Sequence, residues 1–379
     1  MMSKSAMQQL AEVGQSVWLD YIDRKLLETG KLKELIGMGL RGMTSNPSIF
    51  NNAIGQSRDY DVKISSLKSQ GKSGFEIYDE LTIVDIQEAT DLFKPVYDMT
   101  NGLDGYVSLE INPLLANKVD EQIKEGIRLF KKVKRPNCMI KVPSTEEGFL
   151  VVEELIANGV NVNITLIFSL EQYEKTVQAY WRGLNHLAEK GGNLKKVRSV
   201  ASVFVSRIDT LVDKLLDERA AKETNAAKKQ KWQSLKGKAA VANCHLIFEK
   251  FCQLHEGKAF KALHAKGANA QRVLWGSTST KNPAYKDIKY VEELIAYPTV
   301  NTIPMNTLEA FLDHGEVKGA FHDDVSASQM FIKTLKSLGI DINAVCAQLL
   351  KEGCEAFNKS FESLLETIQK KSSQLSVAK

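Results

Sequence analysis

Polar side chains interrupt short apolar segments at intervals along the 379-residue chain. Asp20 ends SVWLD, Asn46 follows GMTS, Glu110 interrupts YVSLEI, and Lys141 interrupts CMIKVP. Asn163 and Thr165 sit in VNVNITLIF, Ser202 lies in RSVASVFV, and Ser277 ends RVLWGS. An unpaired polar group in a buried strand costs about 1–3 kcal/mol, and an unpaired charge costs more. Such groups in seven successive segments therefore point to one shared site. Lys141 carries the most chemistry. Flanked by Met139, Ile140, Val142 and Pro143, its amine is desolvated, which disfavours the charged ammonium. A free amine attacks carbonyls, the chemistry of a Schiff-base nucleophile. A lysine salt-bridged to Glu110 or Asp20 is the competing reading, and the two are compatible because imine chemistry needs a carboxylate nearby. Asp20 and Glu110 are the acid/base candidates for imine formation, carbon–carbon cleavage and imine hydrolysis. Asn163 and Thr165, two apart on a strand, point the same way; they hold a water or substrate hydroxyls, or they satisfy neighbouring strand ends.

Other chemistries have weaker support. The histidines His186, His245, His255, His264, His314 and His322 all fall outside these segments, and none forms an HExxH pair, so no metal is expected at the strand ends. Cys244-His245 with Cys252 and His255 lies among Leu246, Ile247, Phe248, Phe251 and Leu254 and reads as a helix packed on an exterior rather than as ligands. No phosphate-cradling glycine motif follows a strand, so nucleotide binding is not expected. Anion recognition has two candidates: Arg207 after the sixth segment and Lys281 in STSTKN after the seventh, with Ser202 and Ser277 close enough in sequence to add hydroxyls. Pairing of Arg207 with Asp209 or Asp213 is the equal alternative.

These residues need strands to hold them. The apolar segments at 16–20, 42–45, 106–111, 138–143, 160–168, 198–205, 272–277 and 299–304 number eight and alternate with amphipathic stretches such as 120–133, 146–159 and 170–192. Strand–helix alternation with buried strands implies a parallel sheet, and eight units predict an α/β fold of the (β/α)8 barrel type as a single domain over 1–379. The intervals 51–104 and 208–270 exceed one crossover helix, so helical insertions are expected there, the second including the Lys-rich stretch 221–240. The tract 326–369 predicts two or more helices packing across the barrel, and the last ten residues read as a frayed end. The composition, 43% hydrophobic and 25% charged, suits a globular protein rather than a disordered one. Fifty Lys+Arg against 46 Asp+Glu leave +4, too little for a nucleic-acid coat. No apolar run approaches the ~18 residues of a membrane helix, and the start of the chain lacks a signal-peptide pattern. Five cysteines without CxxC spacing fit a reducing compartment, so a soluble, cytoplasmic protein is expected.

Longer motifs carry a resemblance. GMTSNPSIFNNAI (42–54), VSLEINP (107–113), MIKVPSTEEG (139–148), NVNITLIFSLEQY (161–173) and SVASVFVSRID (199–209) resemble strand and loop motifs of the transaldolases. WGSTSTKNPAY (275–285) and TVNTIP (299–304) resemble the final part of the longer bacterial-type members, so the likeness runs in order over roughly residues 10–310. The resemblance implies that Lys141 is the Schiff-base lysine and Asp20 the acid/base group of carbon–carbon cleavage. It implies that Glu110 works through a water with Thr165, and that Asn46 and Asn163 hold substrate hydroxyls. Ser202, Arg207 and Ser277 match groups near a substrate hydroxyl or the phosphate. Where shorter members have a serine–aromatic–arginine run, this chain has Ser277-Thr278-Ser279-Thr280-Lys281, so Lys281 takes the place of the phosphate-binding arginine.

The implied reaction moves a dihydroxyacetone unit from sedoheptulose 7-phosphate or fructose 6-phosphate to glyceraldehyde 3-phosphate or erythrose 4-phosphate, in the non-oxidative pentose phosphate pathway. No cofactor or metal is implied. Expected partners are sugar phosphates, with no nucleic acid and no membrane, and the chain is expected as a monomer or homodimer. Two alternatives stand: a class I aldolase that releases free dihydroxyacetone, and a non-catalytic barrel that binds an anionic partner through the Lys-rich 221–238 stretch. A charge run of that kind is usually a solvated helix face.

Overall fold

The computed structural model describes residues 4–319, 321 and 324–377. Eight parallel strands close into a barrel in sequence order: β1 (Gln15–Asp20), β2 (Gly42–Thr44), β3 (Tyr106–Glu110), β4 (Cys138–Pro143), β5 (Val162–Ile167), β6 (Ser199–Phe204), β7 (Arg272–Gly276) and β8 (Thr299–Ile303). Helices separate the strands and surround them, which makes the fold a (β/α)8 barrel. Almost every strand residue is buried, because each strand has the barrel interior on one face and helices on the other. That is why the segments read as apolar runs with isolated polar residues.

Register decides which side chains share the interior. Asp20 pairs with Thr44, Glu110 with Lys141, Lys141 with Asn163, and Pro143 with Thr165. Residues two apart on a strand face the same side, so each strand gives one layer to a packed floor and the next to the space above it. Trp18, Tyr106, Met139, Val200, Leu274 and Val300 form the floor as their own apolar cluster. Two residues further along their strands stand Asp20, Lys141, Ser202 and Thr302. Gly42 is required by the floor, since a β-carbon there would lie 2.6 Å from the Trp18 ring. Below the floor, Arg272 and Asp104 form a buried ion pair at 2.7 Å, and Ser16 donates to Asp104 at 2.8 Å. Packed rings and paired charges thus close the N-terminal mouth, leaving open space at the strand C-termini.

The long intervals between strands are helical. Residues 51–104 contain the helices Pro47–Gln56, Asp61–Ser69 and Gly74–Met99. The last of these starts at a Ser73/Glu76 capping box and is the crossover from β2 to β3. Residues 208–270 contain Ser206–Lys222, Ala226–Ser234, Ala239–Glu256 and Lys258–Ala265. The Lys-rich helix Ala226–Ser234 buries no residue. At the C-terminus the helices Ser326–Ser337 and Ile342–Val377 follow the barrel. The second packs on the three helices of the first insertion, with Phe361 edge-on to Tyr78 at 5.1 Å. The expected fraying is corrected here: the helix runs on through 370–377, where Lys371 reaches Asp61 at 2.9 Å and Ser372 is buried. Ala378 and Lys379 lie outside the described residues. Among those described, no helix is long and apolar enough to cross a membrane.

Candidate active site

Lys141 rises from β4 at the floor of the C-terminal mouth, 5% exposed. Its Nζ donates to the Ser45 carbonyl at 3.0 Å and stands 3.4 Å from Glu110 Oε2. The second contact is an ion pair without hydrogen-bond geometry, and Glu110 Oε2 accepts no hydrogen bond. Ser45 is held by β3, since its amide and hydroxyl both donate to the Ser108 carbonyl, at 3.2 and 2.7 Å. Burial pushes the Glu110 carboxyl above the usual glutamate range; Lys141 pulls it back, the charge of Asp20 raises it again, and the net direction is upward. A carboxyl that keeps its proton to higher pH than an exposed glutamate suits a group that both gives and takes protons.

The other candidates converge on the same space. A cavity of about 200 Å³ is lined by Asp20, Asn46, Lys141, Thr165, Ser202, Arg207 and Ser277. Asp20 accepts from Thr44 Oγ1 at 2.7 Å. Asn46 caps the helix Pro47–Gln56 by accepting from the Ile49 amide at 2.9 Å. Asn163 does not line the cavity. It is fully buried, donates to Ser108 Oγ at 3.1 Å and accepts from Ser202 Oγ at 2.6 Å, so it holds the Ser202 hydroxyl in place. Thr165 is also buried, and its Oγ1 makes no hydrogen bond with the protein. One residue on, Leu166 has φ +61°, where the β5–β6 register shifts, and Ser144 Oγ donates to its carbonyl at 2.9 Å. Such bulges re-aim side chains at barrel rims.

Arg207 is the cation of this cavity. The alternative pairing with Asp209 or Asp213 does not form, because both carboxylates are engaged elsewhere. Asp209 accepts from the Ala240 amide and Tyr290 hydroxyl, each at 2.8 Å, and Asp213 from the Gly237 amide at 2.9 Å and Tyr285 hydroxyl at 2.6 Å. Among the described residues no carboxylate lies within ion-pair distance of Arg207. Its guanidinium sits 5.5 Å from the Phe204 ring, and burial pushes its pKa down. Ser277 adopts φ +56° and shares a 3.2 Å contact with Ser206 Oγ. Lys281 is corrected: it is exposed and lines a separate cleft with Asp213, Asp217 and Tyr285. Thr278 turns inward to bond the Thr302 carbonyl at 2.9 Å, and the chain then loops outward before reaching residue 281.

A family profile described as Transaldolase/Fructose-6-phosphate aldolase matches residues 17–368. The chain belongs to that family. The transaldolase of Trichodesmium erythraeum is 43% identical over 370 residues, covering 97% of both chains. "Transaldolase 2" of Nostoc punctiforme is 40% identical over 99% of this chain and 100% of its own. The transaldolase of Saccharopolyspora erythraea is 41% identical, again over 99% and 100%. As a member of the transaldolase family the chain is an enzyme, which sets aside the non-catalytic reading. Phe357 from the C-terminal helix lines the cavity, and Gly353 lets that helix approach: a β-carbon there would lie 2.9 Å from Leu166 Cδ2 and 3.6 Å from Arg207 Nη1. Thr44, Ser45, Ser108 and Phe357 escaped the sequence reading. Thr44 lies in GMTS two residues before Asn46 and is a polar group in a strand like the others, whereas Ser45 acts through a backbone carbonyl that no residue type marks. The Cys244–His255 cluster lies on the helix Ala239–Glu256, where burial lowers the His255 pKa. Among the described residues no group of three or more His, Cys, Asp or Glu could hold a metal, and His322 lies outside them.

Proposed function

We propose that this enzyme transfers a dihydroxyacetone unit between ketose and aldose phosphates of the non-oxidative pentose phosphate pathway through a Schiff base on Lys141. The observation that carries the reading is a buried amine between Glu110 and the Ser45 carbonyl, at the floor of a cavity that also holds Asp20 and Arg207. Lys141 Nζ adds to the ketose carbonyl, and Glu110 supplies the proton with which the hydroxyl departs as water, leaving the protonated imine. Thr165, with its free hydroxyl, is placed to hold a water for Glu110. Asp20 takes the proton of the C4 hydroxyl as the C3–C4 bond breaks, and the electron pair moves into the imine to give an enamine. The aldose phosphate leaves. The enamine then attacks the acceptor aldehyde, Asp20 returns the proton, and water hydrolyses the new imine. Arg207 and Ser277 bind the phosphate end.

Borohydride reduction in the presence of fructose 6-phosphate tests this reading: a three-carbon adduct is expected on Lys141 by mass mapping, formed equally well in EDTA and absent in Lys141→Ala. An adduct on another lysine, or none, rejects it. A simple aldolase passes through the same imine, so product analysis with and without an acceptor decides between transfer and release of free dihydroxyacetone.

A further inference from the structure

Behind Glu110 lies a second chamber, of about 20 Å³ accessible to water, distinct from the cavity that holds Lys141. Its wall is mostly apolar, with Ile111, Pro143, Leu166 and Phe357 among the lining side chains. Phe357 also lines the larger cavity, so its ring is the shared partition. Three polar amide or carboxyl side chains line the chamber, Glu110 at 4% exposure, Gln122 at 1% and the half-buried Asn358; only the first two are buried. Gln122 comes from the first turn of the helix Val119–Val133. Its amide orientation is fixed, because Nε2 donates to the Ala116 carbonyl at 2.9 Å. Gln122 Oε1 is therefore an acceptor, and like Glu110 Oε2 it is buried and accepts no hydrogen bond from the protein. A buried acceptor left so costs about 1–3 kcal/mol. Glu110 Oε2 is partly compensated by Lys141 Nζ at 3.4 Å, whereas Gln122 Oε1 has no hydrogen-bond partner; one water, which needs about 10–15 Å³ and two or more polar partners, fits the chamber and can donate to both residues.

We propose that Gln122 is a positioning residue: through one water in this chamber it holds the Glu110 carboxyl toward Lys141 and serves the two steps of the reaction that release or consume water. The inference rests on the Schiff-base reading above. In imine formation the Glu110 proton goes to the departing hydroxyl, which leaves as water, and Glu110 becomes a carboxylate accepting from the chamber water. In hydrolysis an attacking water adds to the imine carbon and returns its proton to Glu110. Carbon–carbon cleavage, which Asp20 serves, draws on neither Gln122 nor the chamber. The cysteine on the chamber wall does not compete for this role, because burial and the nearby Glu110 push the Cys354 thiol up to about 11 and keep it protonated.

The two kinds of step are separated by isotope exchange. Fructose 6-phosphate labelled with ¹⁸O at its carbonyl loses label through imine formation and reversal, whether or not the C3–C4 bond breaks. Gln122→Met, of similar length but without the acceptor, is expected to slow ¹⁸O loss about tenfold, while cleavage of preformed imine in a single turnover stays within twofold of wild type. Ala116→Val adds bulk at another residue that lines the chamber, is expected to give the same split, and serves if Gln122→Met does not fold. Unchanged ¹⁸O loss, or equal slowing of exchange and cleavage, overturns the proposal. If wild type itself yields no borohydride adduct on Lys141, the Schiff-base reading fails; an adduct with unchanged exchange in both variants refutes the role of Gln122 alone.

Discussion

Replacing Arg207 by alanine tests whether this cavity reads phosphate. The guanidinium has no carboxylate partner among the described residues, rests against Phe204 at 5.5 Å, and is covered by the C-terminal helix at Gly353. Burial penalises its charge, the Glu352 carboxylate beyond ion-pair distance offsets that only in part, and a phosphate dianion bound there relieves the rest. A hydrogen bond to a charged group is worth about 1.5–3 kcal/mol, which at 1.36 kcal/mol per decade is about 10- to 150-fold in kcat/KM. The assay compares two acceptors in the same variant, glyceraldehyde 3-phosphate and unphosphorylated glyceraldehyde. Arg207→Ala is expected to lose the full factor with the first and less than threefold with the second. Arg207→Lys keeps a charge but not the planar fork, and falls between. Inorganic phosphate is expected to raise the Tm of wild type more than that of Arg207→Ala. Equal losses with both acceptors would refute the assignment, as would a loss confined to Lys281→Ala.

Four further variants probe the scaffold. Phe357→Ala removes the partition between cavity and chamber and admits water to the enamine, so dihydroxyacetone release is expected to rise severalfold relative to transfer; product ratios by chromatography check this. Gly353→Ala is expected to be near neutral, because Leu166 Cδ2 is a movable end and alanine favours the helix, whereas Gly353→Val costs about 1–3 kcal/mol by overpacking and raises KM. Burial raises the Asp209 carboxyl to about 6, with Asp213 adding to the shift and the Ala240 amide, Tyr290 and Lys289 opposing it. Because the folded state then binds this proton more tightly than the unfolded chain does, the stability linked to it is present at low pH and lost as pH rises through about 6. Urea unfolding of wild type against Asp209→Asn is therefore expected to shift by about 1–2 kcal/mol in the variant's favour between pH 5 and 7.5.

The barrel was legible because parallel strands buried on both faces leave a plain mark. Each of the eight apolar segments became a strand with boundaries moved by at most two residues. The site residues stood out for the same reason, since a lysine between Met139, Ile140, Val142 and Pro143 has no ordinary place in an apolar strand. Partners were less legible. Whether Arg207 meets Asp209 or a ligand depends on Tyr290 and Tyr285, more than 70 residues away, which occupy the competing carboxylates. Asn163 shows the right type at the right height but is turned into the wall by Ser108 and Ser202, contacts set by register. Lys281 was misplaced because loop direction depends on where Thr278 finds its carbonyl. Gly353 and Phe357, on the far C-terminal helix, carry no mark of their function at all.

The arrangement around Lys141 explains why that distant helix matters. One N–H is committed to the Ser45 carbonyl, which fixes the rotation of the amine, while another side of it faces Glu110 Oε2 at 3.4 Å. In the Schiff-base mechanism proposed above, an amine so held would form the imine, and the enamine that follows would be vulnerable to any stray water with access to it. A transferase working through a Schiff base must keep the enamine until an acceptor arrives, yet one water must leave when the imine forms and one must enter when it is hydrolysed. Those demands conflict in one open cavity. They are compatible when Phe357 divides the space, with the substrate and Asp20 on one side and the water-sized chamber behind Glu110 on the other. The helix Ile342–Val377 supplies that partition through Phe357 and also covers Arg207 at Gly353, so one element across the mouth of the barrel borders both the water chamber and the guanidinium proposed to bind phosphate.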